Sequence, residues 1–116
     1  MSKLNAGEVE IALNGETRTL KPTLRAMQVL SGAYGGMAKV RDALAVQDFA
    51  AVVAVIRWGL NLSDKDAAKL PDQVYANGMN ADLLMPLIEF VAVLGNGGRP
   101  VRDDEPVAAS AEGNAP

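Results

Sequence analysis

Neither cysteine nor histidine occurs anywhere in the 116 residues. That double absence excludes disulfide frameworks, thiolate or imidazole metal sites, and every nucleophilic arrangement built on Cys/His or Ser/His/Asp. It also fits a reducing compartment. Cations are outnumbered, 11 Lys and Arg against 14 Asp and Glu, for a formal charge of −3 and a pI near 4.8. A chain of this balance lacks the basic footprint that neutralises phosphates, so nucleic acid is not an expected partner. Long hydrophobic runs are missing as well. The apolar stretches 49–56 and 83–94 fall short of the ~20 residues that a bilayer span needs, and no membrane partner is expected. Residues 1–5 carry one Lys, and no apolar run of signal-peptide length follows. The expectation is one small, soluble, intracellular domain.

What is present is apolar patterning, with 49% of the residues hydrophobic. Over 7–21, Val9, Ile11 and Leu13 alternate with Glu8, Glu10 and Ala12; Asn14-Gly15 interrupts, and Thr17, Thr19 and Leu20 follow. Period two on either side of Asn-Gly predicts a β-hairpin. Its type I′ turn needs positive φ at both central residues, which Asn tolerates and Gly adopts without steric cost. The hairpin should show one apolar face, with Glu8, Glu10 and Glu16 outward, and must lay that face on something else. Pro22 stops the second strand, and Thr23 is a natural N-cap for a helix from Leu24 that Gly35-Gly36 ends. Leu24, Met27 and Ser31 share one side of it, with Leu30 and Tyr34 beside them. A second helix over 37–45 places Met37, Val40 and Leu44 together.

Asp48 caps a helix over 49–60. Phe49, Val52, Val53, Ile56 and Leu60 form one stripe, Ala51, Val55 and Trp58 a second, and Arg57 is the only charge. Apolar on nearly all sides, this helix is expected at the centre. Ser63 opens another helix, with Asp64 and Asp66 at its positive end and Leu70-Pro71 as its break, after which 72–76 adds a turn. The last helix covers 81–94, with Asn80 as cap, Gly95 as stop, and Pro86 either defining its start or kinking it. Leu84, Leu87, Ile88 and Val91 form its main stripe, flanked by Leu83, Phe90 and Leu94. The fold class is therefore α+β, mainly α. It comprises a flexible N-terminus over 1–6, and a single globular domain over 7–95 built from the hairpin and a small bundle of four to five helices over 24–94. A disordered tail over 96–116, rich in Gly, Pro, Ala and acid, completes it.

The chemical candidates are thin. Asp64-x-Asp66 fails as a calcium loop, because Lys69 stands where the sharp turn needs Gly and Tyr75 where closure needs Glu. Gly95-Asn96-Gly97-Gly98-Arg99 lacks the Lys-Ser/Thr and the following helix of a phosphate cradle. Glu8, Glu10 and Glu16 lie on the expected outer face of the hairpin, in water. No catalytic, cofactor-binding or metal residue is assigned, no cofactor is implied, and the chain is not expected to be an enzyme. Trp58, Tyr75 and Phe90 read individually as core, each burial contributing ~1.5–3 kcal/mol. Together, two helices apolar round most of their circumference imply more greasy surface than one small core covers, and such surface marks a partner or a self-association interface. The expected contact residues are Val52, Val55, Ile56 and Trp58 on the first helix and Leu84, Leu87, Phe90 and Val91 on the second.

The hairpin Gly7-Glu8-Val9-Glu10-Ile11-Ala12-Leu13-Asn14-Gly15-Glu16, continued by Thr19-Leu20-Lys21-Pro22-Thr23-Leu24-Arg25-Ala26-Met27, resembles the start of the small tail proteins of gene transfer agents and related siphophages. Leu20-Lys21-Pro22-Thr23 resembles that family's Leu-x-x-Thr entry into its first helix, and Tyr34-Gly35-Gly36 its short glycine break. Asp48 to Val53 with Trp58-Gly59-Leu60 is similar to its acidic, apolar, Gly-Leu helix. Where many members have an acidic stretch after the first helix core, this chain has Gln28-Val29-Leu30-Ser31. The likeness covers about residues 7–62 and, more loosely, the helices to 95. It implies a tail assembly chaperone, also described as a tail tube protein, that coats the hydrophobic tape-measure protein in the cytoplasm of the bacterial host and delivers it to tail tube subunits. A homo-oligomer is a further expectation. The alternatives are a structural tail component retained in the particle, as tube or tail-completion protein, and a small regulatory protein-binding module.

Overall fold

The computed structural model describes residues 5–101, which form an antiparallel hairpin followed by helices. β1 (Val9–Leu13) and β2 (Glu16–Leu20) pair with Leu13 opposite Glu16. Asn14 and Gly15 are left as a two-residue turn with φ of 54° and 82°, the positive values that the Asn-Gly pair predicts. Asn14 does more than turn the chain. Its backbone N–H donates to Asn77 Oδ1 at 2.9 Å and its Nδ2 to the Gln73 carbonyl at 3.0 Å, fastening the hairpin tip to a helix 59 to 63 positions away. β1 alternates as its sequence does, with Val9, Ile11 and Leu13 buried. β2 departs from the expectation: the register sets Arg18 and Glu16 opposite Ile11 and Leu13. Directly opposed residues share a face, so Glu16 shares that of Leu13 although its side chain stays 74% exposed beside the turn, and Leu20 is the one fully buried residue that β2 contributes.

Six helical segments follow: α1 (Leu24–Tyr34), α2 (Met37–Ala45), α3 (Phe49–Leu60), the single turn α4 (Asp64–Ala67), α5 (Leu70–Asn77) and α6 (Ala81–Gly95). With five of them at least two turns long, the class is α+β, mainly α. The side chains of Thr23, Asp48, Ser63 and Asn80 accept from the backbone N–H of Ala26, Ala51, Asp66 and Leu83 at 3.0 to 3.3 Å. Each cap satisfies a helix-end donor that has no partner inside its own helix.

Two boundaries and one helix face are set by packing. Leu70-Pro71 opens α5 instead of merely breaking the preceding helix, because Pro71 falls in the first turn, where the N–H it lacks would have had no acceptor. α1 turns Ala26 and Leu30 inward, while Leu24, on the side it shares with Met27 and Ser31, is 71% exposed at the helix's first position. Gly95 is the last residue of α6 rather than the stop beyond it. The chain then turns through Gly97 and Gly98, both at positive φ, with Gly98 N–H donating to the Val93 carbonyl at 2.9 Å. This turn seats against the domain's first residues: a Cβ on Gly7 would stand 2.2 Å from the Gly98 carbonyl oxygen. The turn over 96–98 thus packs on the fold, while 1–4 and 102–116 lie outside the described residues.

α6 is the central element, packed by β1, α1, α2 and α3. Leu83, Leu84, Leu87, Phe90, Val91, Val93 and Leu94 are all buried along it, although Pro86 sits inside the helix. α3 meets the rest of the core on one side, and Gly59 sets how close it comes. A Cβ there would lie 2.7 Å from Leu20 Cδ2 and 3.1 Å from Phe90 Cε2. The Gly59 carbonyl also accepts from Lys21 N–H at 2.9 Å, joining the end of β2 to α3.

Candidate functional site

The contact residues expected from the sequence divide sharply. Val52, Val55, Ile56, Leu87 and Phe90 are fully buried, and Leu84 and Val91 retain only 7% and 3% of their surface. These seven are corrected from contact face to core: the apolar area that they would offer a partner is already covered by this chain's own elements, α1, α2, β2 and α5 over α3, β1, α1 and α2 over α6, and the two helices over each other. Trp58 alone keeps a half-exposed position. Among the aromatics read as core, Phe90 is core, but Tyr75 is 83% exposed, on the side of α5 away from Leu70 and Val74.

Spare apolar surface exists nonetheless, on the opposite side of α3. Phe49, Ala50, Val53, Ala54, Arg57 and Trp58 line a groove of about 380 Å³ that Pro71 at the start of α5 completes. The pairs 49/50, 53/54 and 57/58 recur every four residues, so they form one continuous helix face. It is the complement of the buried set Ala51, Val52, Val55, Ile56 and Gly59. Phe49 and Ala50 are its exposed members, while Val53, Ala54, Arg57 and Trp58 are half-buried. α3 is accordingly apolar nearly all round, fully covered on one side and partly covered on the other, where the sequence reading placed it at the centre. A sequence signal for this face does exist: Arg57 is the helix's single charge, and the positions three and four residues before it are Ala54 and Val53.

The polar atoms of the groove gather at Trp58. The guanidinium carbon of Arg57 lies 4.7 Å from the centroid of the ring and that of Arg25, from α1, 5.3 Å. Each such contact contributes ~0.5–1 kcal/mol where exposed. Arg57 Nη2 also pairs with Asp64 Oδ1 at the start of α4. The Asp64 side chain is 98% exposed, so this pair is water-screened and contributes ~0–1 kcal/mol. Arg57 Nε is shut off from solvent with no acceptor. Arg25 is exposed and makes no ion pair among the described residues. Away from the groove, burial raises the Tyr34 phenol above its ordinary pKa, with the Asp48 carboxylate adding to the effect.

Among the described residues no group of three or more His, Cys, Asp or Glu is placed to hold a metal ion, and no helix is long and apolar enough to cross a membrane. Asp64 faces Arg57, and the Asp66 backbone is taken by the Ser63 cap. The class that the coordinates define is a mainly helical α+β domain with one apolar helix half covered. Comparison with protein-family models, curated proteins and solved structures finds no match to any of them.

Proposed function

We propose that this chain is a non-enzymatic carrier of apolar helical protein, acting as a tail assembly chaperone that holds the tape-measure protein in the cytoplasm of a bacterial host before tail tube subunits enclose it. The observation that carries the reading is the outer face of α3, where Phe49, Ala50, Val53, Ala54 and Trp58 form a groove with Pro71. A groove of this kind suits helix-in-groove recognition, in which apolar anchors at i, i+3 or i+4, and i+7 of the guest lie along the host face. The family likeness supplies the guest: a long, hydrophobic tape-measure protein that many copies would coat. One small groove gives modest affinity, and occupancy of a long guest then depends on several copies acting together.

The test is retention of tape-measure fragments by the immobilised chain, compared with a Val53→Asp variant that places a charge in the groove. Retention by the parent and loss in a variant that stays folded are the expected results. Failure of the folded parent to retain any fragment would remove the proposal. One observation favours a second reading, a structural component retained in the particle. β2 pairs with β1 alone among the described residues, which leaves an edge for strand addition by a neighbouring subunit. Mass spectrometry of purified particles separates the two, since a carrier should be missing from them and a building block abundant.

A further inference from the structure

We infer that the α3 groove selects apolar helices bordered by carboxylates, with Arg25 and Arg57 as the cations that read them. This rests on the docking role proposed for the same groove and adds the charge pattern of the guest. The chain as a whole is acidic, with 14 Asp and Glu against 11 Lys and Arg, so an acidic guest would be repelled by most of its surface. Trp58 is the exception. Two guanidiniums, from α1 and α3, converge on one ring: Arg57 lines the groove itself, and Arg25 stands beside Trp58 at its border, so that end of the apolar groove is positive. Arg25 has no carboxylate partner among the described residues, and the single partner of Arg57 is a fully solvated one, Asp64. An incoming Glu or Asp therefore meets one unpaired guanidinium and one whose present partner is held only weakly. The ring holds both cations in place before binding, so little side-chain freedom is lost when a carboxylate arrives. The flank opposite Trp58 begins at Phe49 and Ala50, so a guest lying along the groove presents its acidic border at one end and its apolar anchors along the rest.

Trp58 is the only tryptophan in the chain, and its emission reports directly on the groove. The experiment titrates the full-length protein with synthetic helical peptides of about 20 residues that share one apolar stripe and carry Glu, Gln or Lys beside it. The Glu peptide should bind about tenfold more tightly than the Gln peptide, and the Lys peptide more weakly still. The Glu-over-Gln preference should shrink to within about twofold in Arg25→Gln, whose side chain is exposed, and in about 0.5 M salt. Equal binding of the Glu and Gln peptides, or an unchanged preference in Arg25→Gln, overturns the charge selection and leaves the docking role standing. Absence of binding by all three peptides overturns both. A Trp58 response to protein concentration alone, with a dimer seen by light scattering, identifies a second copy as the occupant and also overturns the inference.

Discussion

α3 and α6 are the two most apolar helices, carrying one and two charges respectively, and the fold uses them in opposite ways. α6 is wrapped by β1, α1, α2 and α3, and seven of its side chains are buried on several sides. α3 buries Ala51, Val52, Val55, Ile56 and Gly59 against that assembly, leaving Phe49 and Ala50 exposed and Val53 and Trp58 half-exposed. The difference lies in what covers each helix rather than in composition. An all-round apolar helix need not be central: once α6 occupies the middle of a domain this small, a second one has room to bury only half its circumference.

The largest effect expected from this contrast is on stability. Phe90→Ala in α6 should cost ~3–5 kcal/mol, the loss for an aromatic removed from a closed core, whereas Phe49→Ala in α3, where the ring is 38% exposed, should cost only ~1–2 kcal/mol. Urea denaturation of the two variants measures both. Similar losses would mean that the outer face of α3 is closed, and the contrast would fail. Gly59→Ala comes next, with destabilisation of ~1–3 kcal/mol by the same measurement. Its new methyl meets Leu20 and Phe90 within 3.1 Å, and the helix-propensity gain of Ala over Gly offsets only part of the cost. The caps should show no contrast. Asp48→Ala and Asn80→Ala should each cost ~1 kcal/mol by thermal unfolding, because a cap satisfies a local N–H whatever covers the rest of its helix.

Most of the local structure was legible because single residues dictate it. Asn14-Gly15 fixes a turn that few other pairs adopt, and Thr23, Asp48, Ser63 and Asn80 fix helix starts through one hydrogen bond each. Tertiary choices were less visible. Leu70-Pro71 reads equally as an end or a beginning, and packing decides for the beginning. The register of β2 puts Arg18 and Glu16 beside Ile11 and Leu13, which alternation within β2 does not reveal. The site was half legible: spare apolar area and Trp58 followed from composition and spacing, but seven of the eight chosen side chains lay on the covered sides. Hydrophobicity ranks what would gain from burial without saying which face is buried. Sparse charges say more, since Asp82 and Glu89 mark the solvent side of α6 as Arg57 marks that of α3.

The smallest stability effect belongs to the substitution that should matter most for binding. Ala50 is exposed on the second residue of α3, inside the groove, and its side chain packs on no core residue. Glu at this position places negative charge beside the positive end of the helix dipole, which is favourable by ~0.3–1 kcal/mol and is opposed by repulsion from the nearby Asp48 cap. Ala50→Glu should therefore leave the unfolding free energy within about 0.5 kcal/mol of the parent. The same charge sits on the path of an apolar guest and must be desolvated when one docks. Hydrophobic-dye fluorescence and peptide titration by Trp58 emission should both fall, the peptide affinity by about tenfold or more. A variant as stable as the parent that binds dye and peptide unchanged would place the working surface elsewhere, and would leave the half-covered α3 as a packing outcome without a partner.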